Sequence, residues 1–277
     1  MRYDVPLTDG MALEISSGIS ETTPFPTARL AKGWLLINHG NDLSEEAVGF
    51  GVPIVKRGLQ AVFPGEIELF LGGGASQTRF TARYTLNLVE KIAHSASMVN
   101  NRLVINTKNA LAGMIRQYPG LRRRLTDLSG QMRARFGWQT TYGPTSFSSQ
   151  VTLNYVIDPD YGKLTVEMVD IGYSPDQISE IVIMSEQGAH YFDSYRAGNG
   201  NKQRGEEIGC WDEVTTERAE FISPSQKLSF SLHQVKGAKL YRGRELIDDR
   251  LAWSGFGYSF SPKIDYFKYD IMIRRLT

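Results

Sequence analysis

The sequence predicts a mainly β protein: a large antiparallel β-sandwich with one short α-helical insertion. Three observations lead there. Residues 78–90 read TRFTARYTLNLVE, with Phe80, Ala82, Tyr84, Leu86 and Leu88 at one parity and Arg79, Thr81, Arg83, Thr85 and Asn87 at the other. Successive strand side chains point to opposite faces, so this segment offers one face to a core and one to water or a ligand. At about 3.3 Å per residue it spans roughly 40 Å, some twice a common strand, which implies a broad sheet. Second, similar alternation recurs along most of the chain between turns rich in Gly, Pro, Asn and Asp. Third, only residues 107–136 abandon it for helical spacing.

Taken in order, strands are expected over residues 11–16, 29–38, 48–56 and 67–71 before the long one. Phe147, Ser149, Val151, Leu153, Tyr155 and Ile157 form one face of the next. The DPDYG turn at 158–162 then predicts a hairpin into residues 163–169, because Pro presets φ, Asp bonds its own backbone and Gly accepts positive φ. Residues 180–184 form a short apolar run, Leu228, Phe230 and Leu232 alternate with Ser229, Ser231 and His233, and Phe267, Tyr269, Ile271 and Ile273 share a face. About a dozen strands of this kind suit a sandwich or barrel.

In the exceptional segment, Leu121, Leu125, Leu128, Met132 and Phe136 follow helical spacing with arginines between them, and Pro119-Gly120 divides two short helices. It holds seven basic residues against one acid, a local charge of +6 in a chain whose total is +1, leaving −5 for the remainder. No low-complexity linker divides the chain, so it reads as a single β-rich domain, 1–277, with the basic insertion 107–136 inside it.

Composition narrows the function classes. Hydrophobic content of 41% and charged content of 22% are ordinary for a globular protein. A single cysteine, Cys210, forms no intrachain disulfide and holds no zinc cluster. The N-terminus lacks an apolar signal core and no stretch approaches a membrane span, so the expectation is a cytoplasmic, non-membrane protein. Four scattered histidines without ligand spacing give no metal site, and no cofactor motif is present; GGG at 72–74 and GFG at 49–51 read as turns and bulges rather than phosphate cradles, which need a helix directly after them. Paired acids at 45/46, 206/207, 212/213 and 248/249 read as solvated. The basic insertion lacks any nucleic-acid-binding signature, so nucleic acid is not expected, and docking on acidic parts of this chain or of a partner subunit is the better reading.

The densest polar cluster is 188–207, GAHYFDSYRAGNGNKQRGEE. Read as a strand running into a Gly/Asn-rich loop, it places His190, Tyr191, Tyr195, Arg196 and Asn199 on or near a sheet edge. Tyr rings give flat apolar contact while Arg and Asn supply donors of fixed geometry, which suits a polyhydroxylated or anionic ligand. Arg79 and Arg83 add charge from the long strand. His190, or His39 in the NHGND turn, is the candidate base and Tyr191 or Tyr195 the candidate acid, for lyase- or epimerase-like chemistry without a metal. The expected ligand is a saccharide or other polar small molecule or polymer. The competing reading is a non-catalytic protein that binds another chain through its polar sheet face and basic insertion. An extended sandwich with a polar face is similar in architecture to the galactose-mutarotase-like supersandwich of carbohydrate-active proteins, a resemblance that no motif supports.

Overall fold

The computed structural model describes residues 1–18, 29–58, 60–72, 78–93, 139–172, 177–209, 211–247, 251–264 and 266–276. The predicted insertion 107–136 and Cys210 lie outside them. Four strands, β1 (Arg2–Pro6), β2 (Met11–Ser16), β3 (Leu35–Asn38) and β4 (Asn41–Asp42), form a small antiparallel sheet in that order. The fourteen others form one large sheet. In chain order they are β5 (Phe50–Arg57), β6 (Gln60–Gly72), β7 (Thr78–Ala93), β8 (Gln139–Asp158), β9 (Lys163–Gly172), β10 (Glu180–Gln187), β11 (Ser194–Ala197), β12 (Lys202–Arg204), β13 (Asp212–Glu213), β14 (Arg218–Ser223), β15 (Leu228–His233), β16 (Ala238–Ile247), β17 (Leu251–Phe260) and β18 (Phe267–Arg275). Across the sheet the order is β12-β11-β14-β15-β18-β9-β8-β7-β6-β5-β10-β17-β16-β13, with antiparallel neighbours throughout.

The sheet curls so that its two halves meet face to face. Phe230 of β15 lies 5.1 Å from Phe50 of β5 and 5.9 Å from Phe256 of β17, ring centre to ring centre. Tyr155 of β8 donates to the Gly51 carbonyl of β5 at 2.5 Å, and the hydroxyls of Ser185 in β10 and Tyr269 in β18 are 3.0 Å apart. Those contacts join β5, β10 and β17 to β8, β15 and β18 as the two layers of a sandwich. Gly51 makes the approach possible. It sits at a bulge with φ +76°, and a Cβ there would stand 2.6 Å from Tyr155 Cε1.

The long strand forms as predicted, with one change of phase. Phe80, Ala82, Tyr84 and Leu86 are buried, but a register shift between Leu86 and Leu88 reverses the faces. Val89 takes the core position, and Leu88 turns to a second apolar cluster with Val52, Ile54, Val182 and Met184. That cluster covers the outer side of β5 and β10, which explains why β10 reads as a continuous apolar run rather than an alternation. Residues 158–162 make the expected hairpin, with Asp158 opposite Lys163 and Gly162 at φ +56°. β15 departs from expectation: Ser229 and Ser231 are buried along with its apolar face. Among the described residues no helix is long and apolar enough to cross a membrane.

Candidate functional site

The predicted site residues fall into separate places. Arg79 and Arg83 project from the exposed face of β7. Arg83 meets Glu68 at 3.3 Å and lies over the Phe70 ring at 5.6 Å, while Thr81 donates to Asn154 at 2.8 Å. From β7 to β11 there are six strand steps, so at about 4.8 Å per step these arginines stand roughly 29 Å along the sheet from Arg196. They do not share a site with the 188–199 segment.

His39 occupies the turn between β3 and β4 at φ +48°. Arg275 Nη2 donates to its Nε2 at 2.9 Å and also reaches Asn38 Oδ1 at 3.1 Å and the Asp9 carbonyl. A guanidinium only donates, so this contact occupies the Nε2 lone pair that a base would use. His39 therefore serves as an anchor between the small sheet and the end of β18.

The 188–197 segment is not one strand: turns occupy it up to Asp193, and β11 is the four residues that follow. Tyr195 points inward, 4% exposed, with its ring 5.6 Å from Phe221 and the Arg242 guanidinium 4.5 Å above it. It is a core residue, not a ligand contact. Arg196 and Asn199 do come together, lining an open depression of about 550 Å³ with Thr216, Arg218 and Glu220. Its charge is internally committed, because Arg196 binds the buried Glu220 carboxylate and Arg218 approaches it at 3.7 Å.

His190 is the residue to which the fold brings a chemical partner. Its Nδ1 is 2.9 Å from Glu45 Oε1, and its backbone N–H donates to Glu45 Oε2 at 3.3 Å. Two local features deliver the carboxylate. Glu45 has a left-handed backbone, φ +49°, uncommon for a side chain of its size, and Gly188 leaves room for it: a Cβ there would stand 2.5 Å from Oε2. The imidazole is half-exposed and the carboxyl 23% exposed, so the pair faces solvent from one side. Around it Arg244 Nη2 donates to the Ala189 carbonyl at 3.2 Å, Asp193 pairs with Arg204 at 2.9 Å, and Tyr191 packs half-buried against the core. Burial pulls the Arg244 pKa down, against the opposing pull of Asp193, Glu206 and Glu45. Sequence reasoning took Glu45 and Glu46 for a solvated pair. In the structure one is tied to His190 and the other is 6% exposed, because adjacent residues in an extended turn face opposite ways.

A second group escaped the sequence reading altogether. Glu186, four residues before His190, faces the outer side of β10 and is 5% exposed. Burial drives its pKa up to about 8; the Val48 backbone hydrogen bond and Lys32 oppose the shift, and Glu245 adds to it. Tyr142 is pushed up by the same burial and by the charges of Glu90, Glu186 and Glu245. Nearby, Trp211 stacks on Trp253 with ring centres 4.9 Å apart, fitted against Gly243 and Gly257. In the sequence Glu186 is one more acid after an apolar run, and only the cover on both faces of β10 distinguishes it. Among the described residues no group of three or more metal-ligating side chains stands together.

No family model matches the chain, and no curated protein matches it. Among solved structures, the α-N-acetylgalactosaminidase NagBb from Bifidobacterium bifidum, in complex with GalNAc, is similar over 100% of this chain at 9% identity with a TM-score of 0.50. The GH36 α-galactosidase AgaB from Geobacillus stearothermophilus is similar over 99% at 7% identity with a TM-score of 0.43. The chain spans 36% and 40% of those two enzymes, well under half the length of either. The likeness to the first shows a fold shared with part of that enzyme, an antiparallel β-sandwich.

Proposed function

We propose that this chain binds and processes a saccharide or related polar ligand at the His190–Glu45 pair. The observation that carries the reading is the 2.9 Å contact between an exposed imidazole and a carboxylate held in a strained turn. With Nδ1–H donated to Glu45, the neutral ring keeps its lone pair on Nε2, the arrangement of an oriented general base. Tyr191 is the neighbouring hydroxyl that can return a proton, and such a pair suits proton abstraction in a lyase- or epimerase-type step. The shared fold makes carbohydrate the first ligand class to test, as an analogy between architectures.

The test is a binding and turnover screen of neutral and acidic mono- and oligosaccharides against the intact chain, His190→Gln and Glu45→Gln. Binding by the parent, weakened at least tenfold in His190→Gln, supports the reading. No saccharide binding at millimolar concentration, or equal behaviour of both variants and parent, overturns it. A second reading is favoured by Phe70 and Leu71, 48% and 59% exposed beside the polar face of β7. There the sheet docks another protein chain, and Phe70→Ser with Leu71→Ser removes that association while leaving any saccharide binding intact.

A further inference from the structure

We infer that the ligand of the His190–Glu45 site carries a carboxylate, anchored by Arg244 with Ser254, which makes acidic sugars of the uronate class the preferred ligands. This rests on the reading of His190–Glu45 as the binding pair. Arg244 lies on the inner face of β16, directly opposite Ser254 of β17. Its one hydrogen-bond acceptor among the described residues is a backbone carbonyl, that of Ala189, the residue before His190. Its Nε is buried with no acceptor, and no carboxylate among the described residues comes within ion-pair distance of it. Of the three acids that act on it, Asp193 is held by Arg204 and Ser194 and Glu45 by His190, while Glu206 adds a third negative charge nearby.

Ser254 supplies an independent sign. It is 0% exposed, and its hydroxyl, too, is buried without a partner. Directly opposed residues in an antiparallel pair stand about 5 Å apart at Cβ, so both unpartnered groups arise from one register position on the inner face. Arg242, two residues along the same face, has a buried unpartnered Nη1 as well. Leaving such groups unpaired is costly, and a donor-only guanidinium is satisfied best by two oxygens in a plane. A carboxylate offers that geometry to a half-buried cation that no carboxylate among the described residues pairs with directly, although Asp193, Glu206 and Glu45 act on it from farther away. It also fits the chemistry beside it. A carboxylate bound to a guanidinium makes the adjacent C–H easier to deprotonate, and the base on Nε2 of His190 is one residue from the Arg244-bound carbonyl.

The test is calorimetric titration of the intact chain with glucuronate and galacturonate, set against glucose and galactose. The acids are expected to bind at least tenfold tighter than the neutral sugars. Arg244→Gln is expected to abolish that preference, and Ser254→Ala to reduce acid binding several-fold; the serine variant keeps the test informative if the arginine variant fails to fold. Equal binding of acids and neutral sugars, or equal loss of both in Arg244→Gln, overturns the carboxylate anchor and leaves the His190 site standing. Loss of all saccharide binding in the parent, or none in His190→Gln, instead overturns the site itself. A crystal structure of a saccharide complex with only ordered water on Arg244 Nε and Ser254 Oγ also overturns the anchor.

Discussion

Glu186 and His190 are four residues apart at the end of one strand, and their surroundings are opposite. The carboxyl of Glu186 is covered on the outer side of β10, and burial pushes its pKa up to about 8. The imidazole of His190 stands half in water, and a carboxylate from 145 residues away holds its orientation. Both are polar groups beside the same sandwich, yet one is closed off from water and the other, under the proposed function, is open to a ligand. Burial, more than residue type, makes that division.

The contrast can be broken in several ways, and the largest effect is on stability against pH. The folded-state pKa of Glu186, about 8, exceeds its ordinary value of 4.5, so between these the folded chain keeps a proton that the unfolded chain releases. The associated stability is fully present below pH 4.5 and is lost as pH rises to 8, at up to about 1.4 kcal/mol per unit. Denaturant melts from pH 5 to 8 should show that decline, and Glu186→Gln should flatten it; a parent curve that rises over this range contradicts a buried neutral carboxyl. Next comes Glu186→Ala, which leaves the Val48 N–H unpaired beside a void and should cost about 2–4 kcal/mol. A loss below about 1 kcal/mol would place Glu186 in water.

Gly188→Ala acts on the other region. Its Cβ would strike the Glu45 carboxylate, so a loss of about 1–2 kcal/mol is expected together with saccharide binding weakened as in Glu45→Gln. Unchanged binding in that variant would detach Glu45 from the site. Glu45→Gln itself should shift stability by under about 1 kcal/mol, since a partly exposed side-chain hydrogen bond contributes little, while ligand binding falls at least tenfold. The smallest effect belongs to Glu68→Gln on the β7 face, within about 0.5 kcal/mol and without change in saccharide binding.

Strand content was legible wherever apolar residues alternated with polar ones, whether the polar face met water or, as in β15, was itself buried. β2 and β15 have the predicted bounds, and the buried face of β7 follows the predicted parity as far as Leu86. Legibility failed at β16 and β17, where Arg242, Arg244 and Ser254 take inward positions and Gly243, Gly255 and Gly257 take outward ones, erasing the alternation. The phase change at Leu88 was hidden because a bulge inserts a residue without altering composition. His190 could be singled out from its polar neighbourhood. Its partner could not, because no local signal links Glu45 to a residue that only the packing of β10 beside β5 brings near, and the same holds for Arg244.

The order of the large sheet also bears on how the protein behaves in a crowded solution. Its two outermost strands, β12 and β13, are three and two residues long, and β12 carries Lys202 and Arg204. An open sheet of fourteen strands would ordinarily offer long rows of unpaired amides to a second molecule. At the β12 end the row stops after a few groups flanked by charge and gives a growing fibril almost nothing to copy, whereas at the other end β13 pairs with only Tyr241 and Arg242 of the ten-residue β16.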